Sequence, residues 1–402
     1  MNTAVDFKAM LGALPIGRLE QYRNTPVGKL FSGVDALCVP FDGDEPCSPE
    51  LSPCAQCGLT IKINNGLTDG LLLGLPSGVM YGSLAKAKIK FPELVEKYLD
   101  TQAAASGDHY SNLCREMASD GAFVFVPSGL EIVEPITIIS NYKGEKSQAS
   151  FERHLIIIED GAKANVVFEK RLKSVGEGPL GSDITETFVG KDATLEVANI
   201  CDMPSGNSIS NSYTKQQESS NYKSVDMGVA VGLLRFNRNV SLDGEGAHCG
   251  MFGLFVSGPN ELFDYHTVIN HNAANCTSDE HFKDLIAVGG VGVFRGRIYV
   301  AKGAQKTEAM QQNNNILLGN GAKIFTKPEL EIYADDVKCN HGATIGRPDD
   351  DAIYYMRQRG IGEDMARRLL VMGFVNDIIS RCKISCVADK IVSDITRKIE
   401  NL

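Results

Sequence analysis

The chain has 402 residues and a formal net charge of −10, with 43% hydrophobic and 22% charged side chains. That balance is ordinary for a globular protein of two or three domains and wrong for a disordered one. The acidity lies before residue 351, while the remainder is slightly basic, which argues against a nucleic-acid phosphate backbone as the main partner. No apolar run reaches the roughly 18 residues a bilayer span needs. The start, Met1 to Lys8, shows neither a basic-then-apolar leader nor an Arg-rich transit pattern. The expectation is a soluble, cytoplasmic chain with no membrane partner.

Along the chain, the first hundred residues read as helical with loops. Leu14, Pro15 and Ile16 look like a turn entering a helix. Pro46, Pro49 and Pro53 make residues 38–57 irregular. Helical spacing returns from Ser83 to Leu99, with Pro92 suited to the first turn of a new helix.

From about residue 121 the period changes. Short β-branched or aromatic runs follow: 122–126, 136–139, 155–158, 165–168, 194–197, 251–256 and 297–300, punctuated by Gly, Asn, Asp or Pro. A Gly-Ala or Asp-Ala pair recurs at Ala162, Ala193, Ala247, Ala304, Ala322 and Ala343. The last two steps are 18 and 21 residues, a repeat that favours a solenoid over a sandwich or a barrel. The sequence therefore predicts a mainly β chain, a right-handed parallel β-helix flanked by helical regions. Its expected divisions are an N-terminal helical region (1–115), the β-helix (116–348) and a C-terminal helical domain (349–402).

After Pro348, Asp349, Asp350 and Asp351 are placed to cap and charge a helix, and Gly360 to end it. A second helix spans 363–382. A third carries the apolar stripe Ile384, Val387, Ile391, Ile395 and Ile399. That stripe is expected to cap the end of the β-helix, leaving Tyr354, Met356, Met372 and Phe374 for a partner.

Eleven cysteines run from Cys38 to Cys386, an odd and scattered set that reads as free thiols, mostly packed as small core hydrophobes. Cys54-x-x-Cys57 with Cys47 is the nearest approach to a zinc knuckle, but zinc wants a second close pair and none follows. Gly360-Ile361-Gly362 has the outline of a helix-hairpin-helix nucleic-acid module, yet Glu363 and Asp364 would repel a phosphate there. Asp335 and Asp336 resemble the acid–base pairs of β-helix carbohydrate-active enzymes, but adjacent strand residues point to opposite faces. A cytosolic enzyme of that kind is the alternative reading. No phosphate-binding loop, dinucleotide fingerprint or serine elbow is present, so neither nucleotide binding nor ATP hydrolysis by this chain is expected.

The informative stretch runs from Lys327 to Gly346. Strand alternation puts Cys339 and His341 on one face, two residues apart. A thiol and an imidazole suit a soft transition metal, but two ligands are an incomplete site, which points to one shared with a partner.

This stretch resembles the signature of the SufB/SufD family of iron–sulfur cluster assembly scaffolds, nearer its SufD branch. The Lys338-to-Thr344 run differs from the SufB-type signature, which ends in adjacent Glu and His residues. The resemblance extends through 294–300, 304–307, 312–318 and 355–361, and includes His266, Thr267, His271 and 276–278. It is strong over 255–376 and fainter over 14–26, where the family usually carries a Trp and this chain has none.

Several expectations follow from the resemblance. The chain would be a non-catalytic scaffold that pairs side by side with a SufB-like paralogue, or with itself when alone. Its C-terminal region, 349–402, would bind a SufC-like ATPase. A transient iron–sulfur cluster would form at the heterodimer interface, shared with SufB, with His341 as a metal ligand and Cys339 as a helper.

Overall fold

The computed structural model describes residues 20–41, 58–70, 72–75, 77–172 and 177–400. Cys47, Cys54, Cys57 and the expected helix entry at Leu14 lie outside them. The fold is mainly β, with 48% strand and 21% helix in a β-solenoid of about seven turns, and helices toward both ends.

The solenoid has two parallel faces. Face one stacks Leu59–Asn64, Ile136–Tyr142, Lys163–Leu172, the first halves of Thr194–Gln216 and Asn221–Leu242, then His248–Ser257, Thr277–Ile286, Glu308–Leu317 and Lys338–Gly346. Face two stacks Ala122–Val126, Gln148–Ile158, Leu180–Val189, the second halves of the same two long strands, then Leu262–His271, Val291–Val300 and Lys323–Ile332. Every strand run predicted from the sequence lies in one of these strands.

The coil length is readable from one register column. Tyr222, Cys249, Ser278, Ala309 and Cys339 are Cα partners from coil to coil, 27 to 31 residues apart. The small residues at corners obey this repeat only in part. Ala162, Ala193, Ser220 and Ala247 occupy one corner, each carbonyl accepting from the first residue of the strand one coil on. Ala322 precedes the opposite face's Lys323, and Ala343 lies inside the last strand. The 18- and 21-residue steps therefore measure no coil.

Apolar inward side chains fill much of the interior, beside buried polar and charged groups such as Lys170, Asp183, Asp226 and Arg238. An aromatic ladder climbs through Phe236, Phe255, Tyr265, Phe282 and Phe294, with ring centroids 4.2 to 6.1 Å apart. Each such pair adds about 0.5–1.5 kcal/mol beyond the area it buries. All eight described cysteines are free thiols and six are buried, as a core role requires. Burial pushes Cys114 and Cys201 up to about 12.

The N-terminal helices are α1 (Val27–Ser32), α2 (Leu84–Lys90), α3 (Pro92–Tyr98) and α4 (His109–Met117). Ser83 caps α2, its hydroxyl accepting from Lys86 N at 3.2 Å, and Pro92 opens α3 as its residue type predicts. Within the stretch read above as helix and loop, Leu59–Asn64, Leu67–Asp69, Leu73–Gly74 and Met80–Ser83 are instead strands, of which Leu59–Asn64 pairs in parallel with Ile136–Tyr142. The segment leading into α1 is pinned by Asp264, which accepts from Thr25 Oγ1 and from Arg235, and lies 3.0 Å from His266 Nε2. Burial alone would raise this carboxyl, but Arg235 and His266 hold it down at about 2.

The C-terminal helices are α5 (Asp350–Gln358), α6 (Glu363–Ile379) and α7 (Ser385–Glu400). Asp349 caps α5, accepting from Asp351 N at 2.9 Å and Ala352 N at 3.2 Å. Gly360 then turns the chain with φ +84°, a left-handed conformation that glycine adopts freely.

The apolar stripe of α7 does not cap the end of the solenoid. Val387, Ile391 and Ile395, with Val371, Val375 and Ile378 of α6, cover the outer side of face one at Val167, Ile200, Val225, Leu254 and Leu285. The outward residues of that face are themselves apolar, so a lateral layer has more to bury than an end cap. Lys283 fastens α6 by donating to Phe374 O at 3.0 Å and pairing with Asp377 at 2.9 Å.

Candidate functional site at the open end of the solenoid

The last coil comprises Lys323–Ile332 on face two and Lys338–Gly346 on face one, and each has a single strand partner among the described residues. In a parallel ladder a residue's N–H and C=O point to the same side, and successive residues alternate. Lys323 N and Tyr333 N bond inward to Gly290 and Val300. Even-numbered residues between them therefore turn their backbone groups to the open edge. Pro328 is one of these, so its missing N–H removes no bond from the ladder. On the other strand, Lys338 N bonds to Thr307 O, so Cys339, His341, Ala343 and Ile345 offer their N–H and C=O outward.

The side chains at this end are unusually uncovered. His341 is exposed and Cys339 partly buried against the interior cluster. Ile345 is 53% exposed, Phe325 44% and Ile332 39%. A cleft of about 550 Å³ beside them is lined by Phe294, Arg295, Thr326, Lys327 and Ile345, among others. Charged pairs stitch the outer surface: Arg295 to Glu329 at 2.9 Å, Arg297 to Glu331 at 3.3 Å and Lys338 to Glu308 at 2.6 Å. Lying at the partly or fully exposed surface, they contribute about 0–1 kcal/mol each and set geometry more than stability.

The structure brings Cys339 and His341 to the same inward-facing row at the mouth, as strand alternation predicts. Partial burial pushes the Cys339 thiol up, against the opposing effect of the Ala309 backbone. It is therefore not poised as a thiolate, and a metal would have to displace its proton. Among the described residues, no three His, Cys, Asp or Glu side chains are grouped to hold a metal ion. Asp335 and Asp336 make no acid–base pair: Asp336 bonds from its N–H to Gln305 Oε1 at 2.9 Å and pairs with Lys306.

Sequence reasoning passed over the polar interior beneath the mouth. Glu280, Gln311 and His341 are successive register partners. Gln311 Nε2 donates to Glu280 Oε2 at 2.8 Å, and Thr267 donates to the other carboxyl oxygen. Beside them Asn313 donates to Asp284 Oδ2 at 3.0 Å, and Asn315 to Asn313 Oδ1 at 2.7 Å. Burial raises Glu280 and Asp284 to about 7, with these hydrogen bonds opposing it. The available signal was the run Gln311 to Asn315, five amides inside an alternating strand.

The helical surface also differs from expectation. Met372 and Phe374 pack partly against the lateral cluster. The exposed apolar groups on α5 and α6 are Tyr354 (62%), Tyr355 (57%), Met365 (52%) and Leu369 (48%). No helix among the described residues is long and apolar enough to cross a membrane.

Comparison with known proteins agrees with this architecture. A family model described as "SUF system FeS cluster assembly, SufBD core domain" matches residues 139–374, and one for the "SufBD protein N-terminal region" matches 3–138. The chain is 27% identical over 392 residues to the iron–sulfur cluster assembly protein SufD of Escherichia coli, covering 96% of this chain and 89% of the relative. It is 26% identical over 326 residues to a SufBD family iron–sulfur cluster assembly protein of Synechocystis sp., covering 79% and 72%. The two family matches together span most of the sequence, and the chain belongs to the SufBD family of iron–sulfur cluster assembly proteins.

Proposed function

We propose that this chain is the SufD-type scaffold subunit of a cluster-building complex, non-catalytic itself, working in the cytoplasm. It pairs through the open edge of its last coil with a SufB-like paralogue. His341, helped by Cys339, contributes to a transient iron–sulfur cluster whose remaining ligands the paralogue supplies. The observation that carries this reading is the terminal strand Lys338–Gly346. Among the described residues it has an unpaired edge, it exposes His341, and by alternation its odd-numbered backbone groups face outward. Unpaired edges of this kind are normally covered or paired, and β-augmentation is the direct way to pair one.

The helices add a second contact. The family resemblance assigns a SufC-like ATPase to residues 349–402, and the exposed Tyr354, Tyr355, Met365 and Leu369 are the apolar anchors that fit such a partner. Burying each offers about 1.5–3 kcal/mol before the costs of association. We propose the divisions 1–115, 116–348 and 349–402 as functional units in the same sense, with the helical layer of the last lying against the β-helix.

Co-expression with the neighbouring SufB-like and SufC-like chains tests the reading. One co-eluting complex that carries iron and sulfide is expected. Separate elution of this chain from both would refute it.

A further inference from the structure

We infer that Gln311 is a positioning residue for His341, its side-chain carbonyl accepting one imidazole N–H so that the other ring nitrogen faces the partner. This rests on the reading of His341 as a cluster ligand given above, but its test does not require a cluster.

The argument begins with the column Glu280, Gln311 and His341, one inward-facing residue per coil. Gln311 is fully buried, and its Nε2 donates to Glu280 Oε2 at 2.8 Å. Glu280 Oε2 accepts from Gln311 Nε2, so the amide nitrogen turns toward Glu280 on the coil behind and the amide oxygen turns away from it. That leaves Gln311 Oε1 buried and without a partner. A buried carbonyl in that state is costly and calls for a donor.

The opposite wall limits the alternatives. Gly296 faces Gln311 across the interior, and a Cβ there would stand 2.4 Å from Gln311 Nε2. The amide is therefore held in a slot that any larger residue at 296 would close. The coil beyond Gln311 carries His341 at the same register position, so its imidazole is the donor the register supplies. Histidines that ligate metals commonly donate their second ring N–H to a carbonyl or carboxylate, which fixes tautomer and orientation. Here the fixed tautomer would leave an unprotonated nitrogen at the mouth, where iron would bind.

The test is imidazole ¹⁵N NMR on the full-length chain without iron, comparing His341 with the exposed His109 as internal reference. In the wild-type chain His341 is expected in one dominant tautomer, with His109 showing the mixture of a free ring. Gln311→Met keeps the volume and removes the acceptor, and should return His341 to the mixture seen at His109. If His341 matches His109 in the wild-type chain, or keeps its single tautomer in Gln311→Met, the assignment is wrong. Should Gln311→Met fail to fold, the wild-type comparison alone decides. Loss of the cluster reading would leave both spectra unchanged, so the two claims fail separately.

Discussion

His341 is the exposed Cα partner of Gln311, itself fully buried one coil back. The terminal coil thus joins a solvent-facing ligand type to an interior that is polar at this end and aromatic deeper in. Among the described residues, both strands of the same coil are unpaired on their outward edge. Among the described residues this end carries Cys339 and His341 beside two open strand edges.

The open edge makes a backbone prediction. Ile332 is even-numbered, so its N–H faces outward and takes no part in the ladder to Val291–Val300. Ile332→Pro should leave the chain folded, because Pro328 already sits at an equivalent position. It should weaken pairing with the SufB-like chain, read by size-exclusion chromatography of the co-expressed proteins. Unchanged heterodimer formation would place the seam elsewhere.

The lateral helices make a stability prediction. Ile391 is 1% exposed in the layer between α7 and face one. Ile391→Ala should cost about 2–5 kcal/mol, the usual range for truncating a buried isoleucine, measured by urea denaturation. A loss under about 0.5 kcal/mol would mean that α7 does not dock there. For the same reason, removing residues 350–402 would bare the apolar side of face one and is a poor probe of partner binding. Leu369→Asp, at an exposed position, is the cleaner one, and it should weaken ATPase capture while leaving the melting temperature nearly unchanged.

The buried carboxyls make a pH prediction. Glu280 and Asp284 are raised to about 7 in the fold, against reference values of about 4.3 and 3.9. The fold favours their protonated forms, so the stability they contribute is complete below about pH 4 and is lost as pH rises through 7. Melting temperature should fall between pH 5 and 8, and fall less in Glu280→Gln. Equal slopes in the two proteins would show that Glu280 is not linked to folding. Asp264, held at about 2, acts in the opposite sense: its contribution is present above about pH 4 and is lost as pH falls through 2.

Much of this was legible in the sequence, because strand runs and helix caps are local. Pro92 at a helix start and Asp349 at a cap needed no tertiary information. What the α7 stripe covers was not legible. Amphipathic spacing shows that a face is buried, not what buries it, and the apolar outer face of the sheet was the competing surface. The strand Leu59–Asn64 escaped notice because its partner lies about 75 residues away. The amides from Gln311 to Asn315 carry no apolar alternation to mark them as strand, although alternate members are buried inside the solenoid.

The most direct test of the central claim is His341→Ala in the co-expressed complex, with iron and acid-labile sulfide measured per complex after anaerobic purification. His341 is exposed and has no packing role to lose, so the variant should fold and keep its partners. Cluster content should fall about tenfold or more, since losing even a group that only supports a metal ligand costs about 10–100-fold, and Cys339→Ser should reduce it less. A normal cluster content in His341→Ala, or loss of the complex itself, would contradict the account.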